Sequence, residues 1–131
     1  MNKVSTQNAP QPAGHYSQAI VHNGMVYVSG QVAIDPQTGE RRVGSIEEQT
    51  EQTLRNVSEI LKAAGSDISQ IVKATVYISD MALWDRVNAV YGRFFGEHRP
   101  ARAVVPTRDL HFGFEVEIEA IAAVSDAEPV E

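Results

Sequence analysis

The chain has 131 residues, 43% of them hydrophobic, with no cysteine and with 17 acidic against 11 basic residues, a formal net charge of −6. A domain of this size closes a core without staples, and the absence of thiols excludes a disulfide framework, a thiolate nucleophile and a Cys-ligated metal. An acidic chain with no Lys/Arg run lacks the footprint of a nucleic-acid binder, and no apolar run has the length of a signal sequence or membrane span, so a soluble, cytoplasmic protein without nucleic-acid or membrane partners is expected.

The chain is expected to form a single domain over residues 1–131. The first dozen residues are polar and carry Pro10 and Pro12, which predicts an extended arm over about 1–12. Ala19 to His22 and Met25 to Ser29 are strand-like runs around Asn23-Gly24, a pair that suits the two positive-φ positions of a type I′ hairpin turn. Asp35-Pro36-Gln37-Thr38-Gly39 is a turn signal, with proline presetting φ and glycine closing it. Ser45-Ile46-Glu47-Glu48 has the form of a capping box. Behind it Ile46, Thr50, Leu54, Val57, Ile60, Leu61 and Ala64 fall on one helical stripe that Gly65 stops.

Ile71 to Ile78 is β-branched and nearly all apolar, which predicts a strand buried on both faces. Asp80 is placed to cap a second helix, in which Trp84, Val87, Tyr91, Phe94 and Phe95 recur at helical spacing and Gly96 ends the run. Arg102 to Thr107 is a short strand. Phe114 to Val124 alternates, with Phe114, Val116, Ile118 and Ala120 on one face and Glu115, Glu117 and Glu119 on the other. The acidic residues 125–131 are expected to be a disordered tail. Hairpin, helix, strand, helix, strand, strand gives an α+β two-layer sandwich, a mixed β-sheet with two helices on one face. A strand apolar on both faces then calls for a partner chain on the uncovered side.

Signals for chemistry are sparse. His15, His22, His98 and His111 have no paired ligand spacing, and alternate glutamates on a strand are more often a solvated face than a hard-cation site, so no metal is expected. Ser17, Ser29 and Ser79 lack any nucleophile-elbow context, and Gly24, Gly30 and Gly39 are too scattered for a phosphate loop. Arg99-Pro100-Ala101-Arg102, with Arg108 close behind, is a basic spot in an acidic chain. A planar guanidinium on a Pro-stiffened turn suits bidentate capture of a carboxylate. Composition alone favours the plainer alternative, a structural pair with Glu115, Glu117 or Glu119.

Five blocks then occur in order: Gly14-His15-Tyr16-Ser17-Gln18-Ala19, Val28-Ser29-Gly30-Gln31, Val87-Asn88-Ala89-Val90-Tyr91, Pro100-Ala101-Arg102 and Glu117-Ile118-Glu119-Ala120-Ile121-Ala122. Together, over about residues 4–124, they resemble the reactive intermediate deaminase family, the RidA (YjgF) family of enamine/imine deaminases. The resemblance implies a chorismate-mutase-like fold and a homotrimer with a ligand cleft at each subunit interface. It implies cofactor-free hydrolysis of short 2-imino acids (2-iminopropanoate and 2-iminobutanoate, the tautomers of 2-aminoacrylate and 2-aminocrotonate) to 2-keto acids and ammonia. Carried over by position, Arg102 anchors the substrate carboxylate and Glu119 orients water. Tyr16, Ser29 and Asn88 line the cleft, and Gly30 lets backbone approach the ligand.

The chain departs from the family pattern at His15, at Ala103-Val104 and at Leu110-His111-Phe112-Gly113-Phe114. The last two departures bear on substrate choice. They leave two alternatives: a specialised deaminase of a larger enamine in a catabolic pathway, and a non-catalytic trimer that binds small carboxylates or protein partners.

Overall fold

A computed structural model describes residues 1–124; the expected acidic tail lies outside them. Strand β1 (Asn2–Val4) takes up the start of the extended arm and pairs antiparallel with β2 (Ala19–His22). The side chain of the buried Gln18 holds the rest of the arm: its Oε1 accepts from Thr6 N–H at 2.7 Å and its Nε2 donates to Pro10 O at 2.9 Å. β2 turns into β3 (Met25–Gln31) through Asn23 and Gly24 at φ 52° and 78°, the two left-handed residues that the I′ turn requires.

The turn after β3 closes as expected, with Gly39 N–H on Asp35 O at 2.8 Å and φ 76°. Ser45 caps helix α1 (Ile46–Ala63) by accepting Glu48 N–H at 3.1 Å. The expected apolar stripe is buried, and with it Gln49, Thr53 and Asn56, polar residues that periodicity cannot assign to a core. Each has bonding that makes burial affordable. Thr53 bonds back to Gln49 O at 2.7 Å, and Asn56 Nδ2 donates to both Val32 O and Ile34 O at 3.0 Å. Asn56 thereby fastens the segment that follows β3 to the helix.

Strand β4 (Ile71–Ile78) leads to Asp80, which caps a 3-10 turn by accepting Ala82 N–H at 2.9 Å before helix α2 (Trp84–Phe95) starts. β5 (Ala101–Pro106) runs parallel to β4, and β6 (Val116–Ala123) runs antiparallel between β3 and β4. The order is β1-β2-β3-β6-β4-β5, with the β4–β5 pair the parallel one. The two helices pack on one face, where Val26, Val28, Ala74, Val76, Ile78, Val116, Ile118, Ala120 and Ala122 join Leu54, Val57, Ile60, Leu61, Val87, Tyr91 and Phe95 in one core. An exposed ion pair, Arg86 to both Glu47 oxygens at 2.7–2.8 Å, links the two helices at the surface and holds the Glu47 carboxyl down at about 2.

The expectation for β4 is corrected. Ile71, Ala74, Val76 and Ile78 are buried, but Val72 is 50% exposed, Lys73 is exposed, and Thr75 and Tyr77 are half-buried. Lys73, Thr75 and Tyr77 carry polar tips on the alternate face, so this run is one-sided within the chain, like an ordinary antiparallel strand. No helix of the described residues is long and apolar enough to cross a membrane.

Asn56→Ala removes the donor shared by the half-buried Val32 and Ile34 carbonyls. Loss of about 1–3 kcal/mol of unfolding free energy is expected in urea denaturation, with little change in far-UV dichroism.

Candidate active site

The β3–β6 ladder shifts register between Val28 and Gln31, so that Ser29, Gly30 and Gln31 stand opposite fewer residues on β6. Such a bulge bends the strand and re-aims its backbone. Ser29 is tied back to the preceding segment by its N–H to Gln18 O at 2.9 Å and its Oγ to Ser17 O at 2.6 Å. At Gly30 the reason for glycine is spatial: a Cβ there would meet Glu117 Oε2 at 2.1 Å. The Glu117 carboxylate occupies the space that a side chain would need.

Around this point lies a cavity of about 480 Å³ lined by Pro10, Gln11, Ala13, Tyr16, Ser29, Gly30, Gln31, Val32, Ile34, His111, Phe112, Glu117 and Glu119. The anchored arm supplies its near side, with Tyr16 OH accepting Ala13 N–H at 3.3 Å. The two glutamates differ. Glu117 is half-buried, and loss of solvation raises its carboxyl pKa; the charge of Glu119 raises it further, while His111 opposes the shift. Glu119 is exposed and accepts Tyr77 OH at 3.3 Å. Glu115, ahead of β6, is bound instead to α1, accepting Gln49 Nε2 at 3.2 Å and donating its N–H to Gln49 Oε1 at 2.8 Å. Both Glu119, the glutamate that the resemblance names, and Glu117 line this cavity, and Glu117 is the more buried of the two. The sequence signal beside it is Gly30, separated from it in the chain by two helices and two strands, whose missing side chain leaves room for the carboxylate.

Arg102 is elsewhere. On β5 it turns to the helix side, donating Nη1–H to Asn88 Oδ1 at 2.7 Å, with its guanidinium carbon 4.8 Å from the Tyr91 ring centre and 5.8 Å from that of Trp84. Trp84, Asn88 and Tyr91 are spaced one helical turn apart on α2, so one helix face builds the cradle. Among the described residues Arg102 has no ion pair with Glu115, Glu117 or Glu119, so the plainer alternative of a structural salt bridge is not what holds it. Tyr16, Ser29, Gly30 and Glu119 therefore share one pocket, whereas Asn88 and Arg102 form a second group against α2. Because β6 and β4 turn Glu117, Glu119 and Tyr77 to the uncovered face, the sheet separates the two groups within a chain.

Described as Endoribonuclease L-PSP, a family model matches residues 6–124. A RutC family protein of Pyrococcus horikoshii is 45% identical over 119 residues, covering 91% of this chain and 94% of its own. The human 2-iminobutanoate/2-iminopropanoate deaminase is 41% identical, covering 91% and 87%. The crystal structure of E. coli TdcF with bound serine superposes with a TM-score of 0.91 at 38% identity, covering 95% of this chain and 100% of that one. With that sheet, those helices and those matches, the chain belongs to the Endoribonuclease L-PSP family, the RidA/YjgF family of reactive intermediate deaminases.

Proposed function

We propose that this protein is a 2-imino acid deaminase that releases 2-keto acids and ammonia, 2-iminopropanoate and 2-iminobutanoate among its substrates. The observation that carries this reading is the half-buried Glu117 carboxyl over Gly30 in a pocket shared with Glu119, where loss of solvation raises its pKa and favours proton exchange. The names of relatives above 40% identity point the same way. The site is completed by a second copy of the chain: Arg102, pre-set by Asn88 and the α2 aromatics of one subunit, faces the Glu117 pocket of the next in a homotrimer. The separation of the two groups by the sheet supports this arrangement, as does the uncovered face that bears Tyr27 and Val105.

In the mechanism, the Arg102 fork pairs with the substrate carboxylate and holds C2 near Glu117. Glu117, ionised, takes a proton from water as the water oxygen bonds to C2 and the C=N electron pair moves to nitrogen. The carboxylic acid so formed passes that proton to nitrogen, giving a carbinolamine. A second transfer through the same carboxyl moves the hydroxyl proton to nitrogen. The C–N bond breaks, ammonia leaves and C=O remains. Glu119 keeps the neighbouring charge that tunes Glu117, in place of the water-orienting role first carried over to it. Ser29 and Tyr16 shape the walls. An RNA phosphodiester suits this pocket poorly, because two carboxylates line it and the chain carries −6. The serine bound in TdcF carries, like a 2-imino acid, a carboxylate next to a nitrogen-bearing C2, the group that Arg102 would take.

Arg102→Ala and Glu117→Gln are each expected to lower ammonia release from in situ generated 2-iminobutanoate by roughly 10²-fold or more, with melting temperatures nearly unchanged. Unfolding and refolding the two inactive variants together should restore activity at about one site in four, the statistical share for randomly mixed rings. No recovery in mixed, refolded trimers would place both groups in one subunit.

A pH profile separates the two glutamates. Glu117 must be ionised to accept a proton, so kcat/KM rises as pH climbs through its raised pKa. Glu119→Gln removes one cause of that rise and should shift the acid limb to lower pH while turnover persists. Loss of turnover in Glu119→Gln with a normal Glu117→Gln enzyme would return the base to Glu119.

A further inference from the structure

Phe112 has φ 58° and ψ 22°, a left-handed conformation rare for a side chain of its size, and is followed by Gly113 at φ 80°. Aromatic and cationic contacts hold it there. The Arg41 guanidinium lies 3.6 Å from its ring centre, the His111 ring centre is at 3.8 Å, and the ring centre of the buried Phe114, packed edge to face, is at 6.3 Å. Phe112 is nevertheless 40% exposed and lines the Glu117 pocket. Arg41 also bridges to Ile34, another lining residue, so Ile34 and Phe112 belong to one wall that Arg41 fixes from behind. His111, next to Phe112, lines the same cavity as Glu117, which puts this wall beside the reacting centre. A strained residue kept partly exposed at a pocket marks a functional constraint.

We infer that the wall built by Phe112, Ile34 and Arg41 receives the substrate's side chain and selects 2-imino acids with an extended apolar or aromatic side chain over the three-carbon acid. This rests on the deaminase reading above. The methyl group of 2-iminopropanoate has too little surface to use such a wall, whereas each added methylene buried on it favours the longer substrate, and a ring gains stacking on Phe112. A second anionic group is disfavoured, because Arg41 is engaged by the Phe112 ring outside the lining while two carboxylates are inside it.

The test uses the intact protein and imines formed in situ from L-alanine, L-2-aminobutyrate, L-leucine and L-phenylalanine by an amino-acid oxidase, with semicarbazide competing for each imine. The expected kcat/KM for the leucine- and phenylalanine-derived imines exceeds that for 2-iminopropanoate by roughly tenfold or more. Phe112→Ala and Arg41→Ala should each cut that ratio roughly tenfold, and Phe112→Tyr should keep it. A wild-type ratio near one, or variants that slow every substrate equally, would overturn the inference. Failure to hydrolyse any of the four imines would defeat the deaminase reading instead. Calorimetric binding of phenylpyruvate against pyruvate then decides the wall separately: preference for phenylpyruvate that Phe112→Ala abolishes sustains it, and equal affinities reject it.

Discussion

A β-strand sends successive side chains to opposite faces, and in this sheet the two faces have different fates. One is covered by α1 and α2; no helix of the described residues packs on the other. The division decides where chemistry can sit. On the helix side, α2 also positions the exposed Arg102 of the edge strand through Asn88, Tyr91 and Trp84. Residues on the other side, Glu117 and Glu119 among them, keep access to solvent and to whatever docks there. Bringing a guanidinium anchor and a carboxylate base to one ligand across such a sheet requires another subunit, which ties catalysis to assembly in the proposed function.

The Ser29–Gly30 bulge converts this plan into a site. Without the register shift, β3 would lie flat against β6 and the Glu117 side chain would stand among regular cross-strand neighbours. With it, backbone replaces side chain over the carboxylate, loss of water raises its pKa, and the adjacent Glu119 adds to the rise. In the proposed function this is how an ordinary glutamate becomes a proton donor and acceptor, by loss of solvent and the absence of one Cβ. Gln18 and Asn56 serve the same pocket at a distance. The first pins the arm that carries Pro10 and Tyr16; the second pins the Val32–Ile34 segment of the opposite wall.

Much of the fold was legible in the residues because local signals and burial agreed. Asn23-Gly24 set the hairpin, Ser45 the start of α1, and the alternation from Phe114 the last strand. One expectation failed where the outcome depends on neighbours distant in sequence. β4 reads as two-sided because valine and isoleucine dominate it, yet Lys73, Thr75 and Tyr77 fall on one face once pairing fixes the register. The burial of Gln49, Thr53 and Asn56 was not legible either, because helical periodicity records apolarity and carries no information on the partners that satisfy a buried amide or hydroxyl.

The candidate site divides in the same way. The sequence by itself determined the inventory: an arginine after a Pro-stiffened turn, a glycine in the third strand, three glutamates at alternate positions, and blocks whose order resembles one family. Alternation alone leaves Glu115, Glu117 and Glu119 equivalent, and the resemblance ranks Glu119 first. The fold gives the three different surroundings: Glu115 bonds to Gln49, Glu119 meets Tyr77 and solvent, and Glu117 lies in the gap over Gly30. The physical reason is that a carboxyl's proton affinity depends on solvation and on nearby charge, and both are set by residues far away in the chain that the fold brings together.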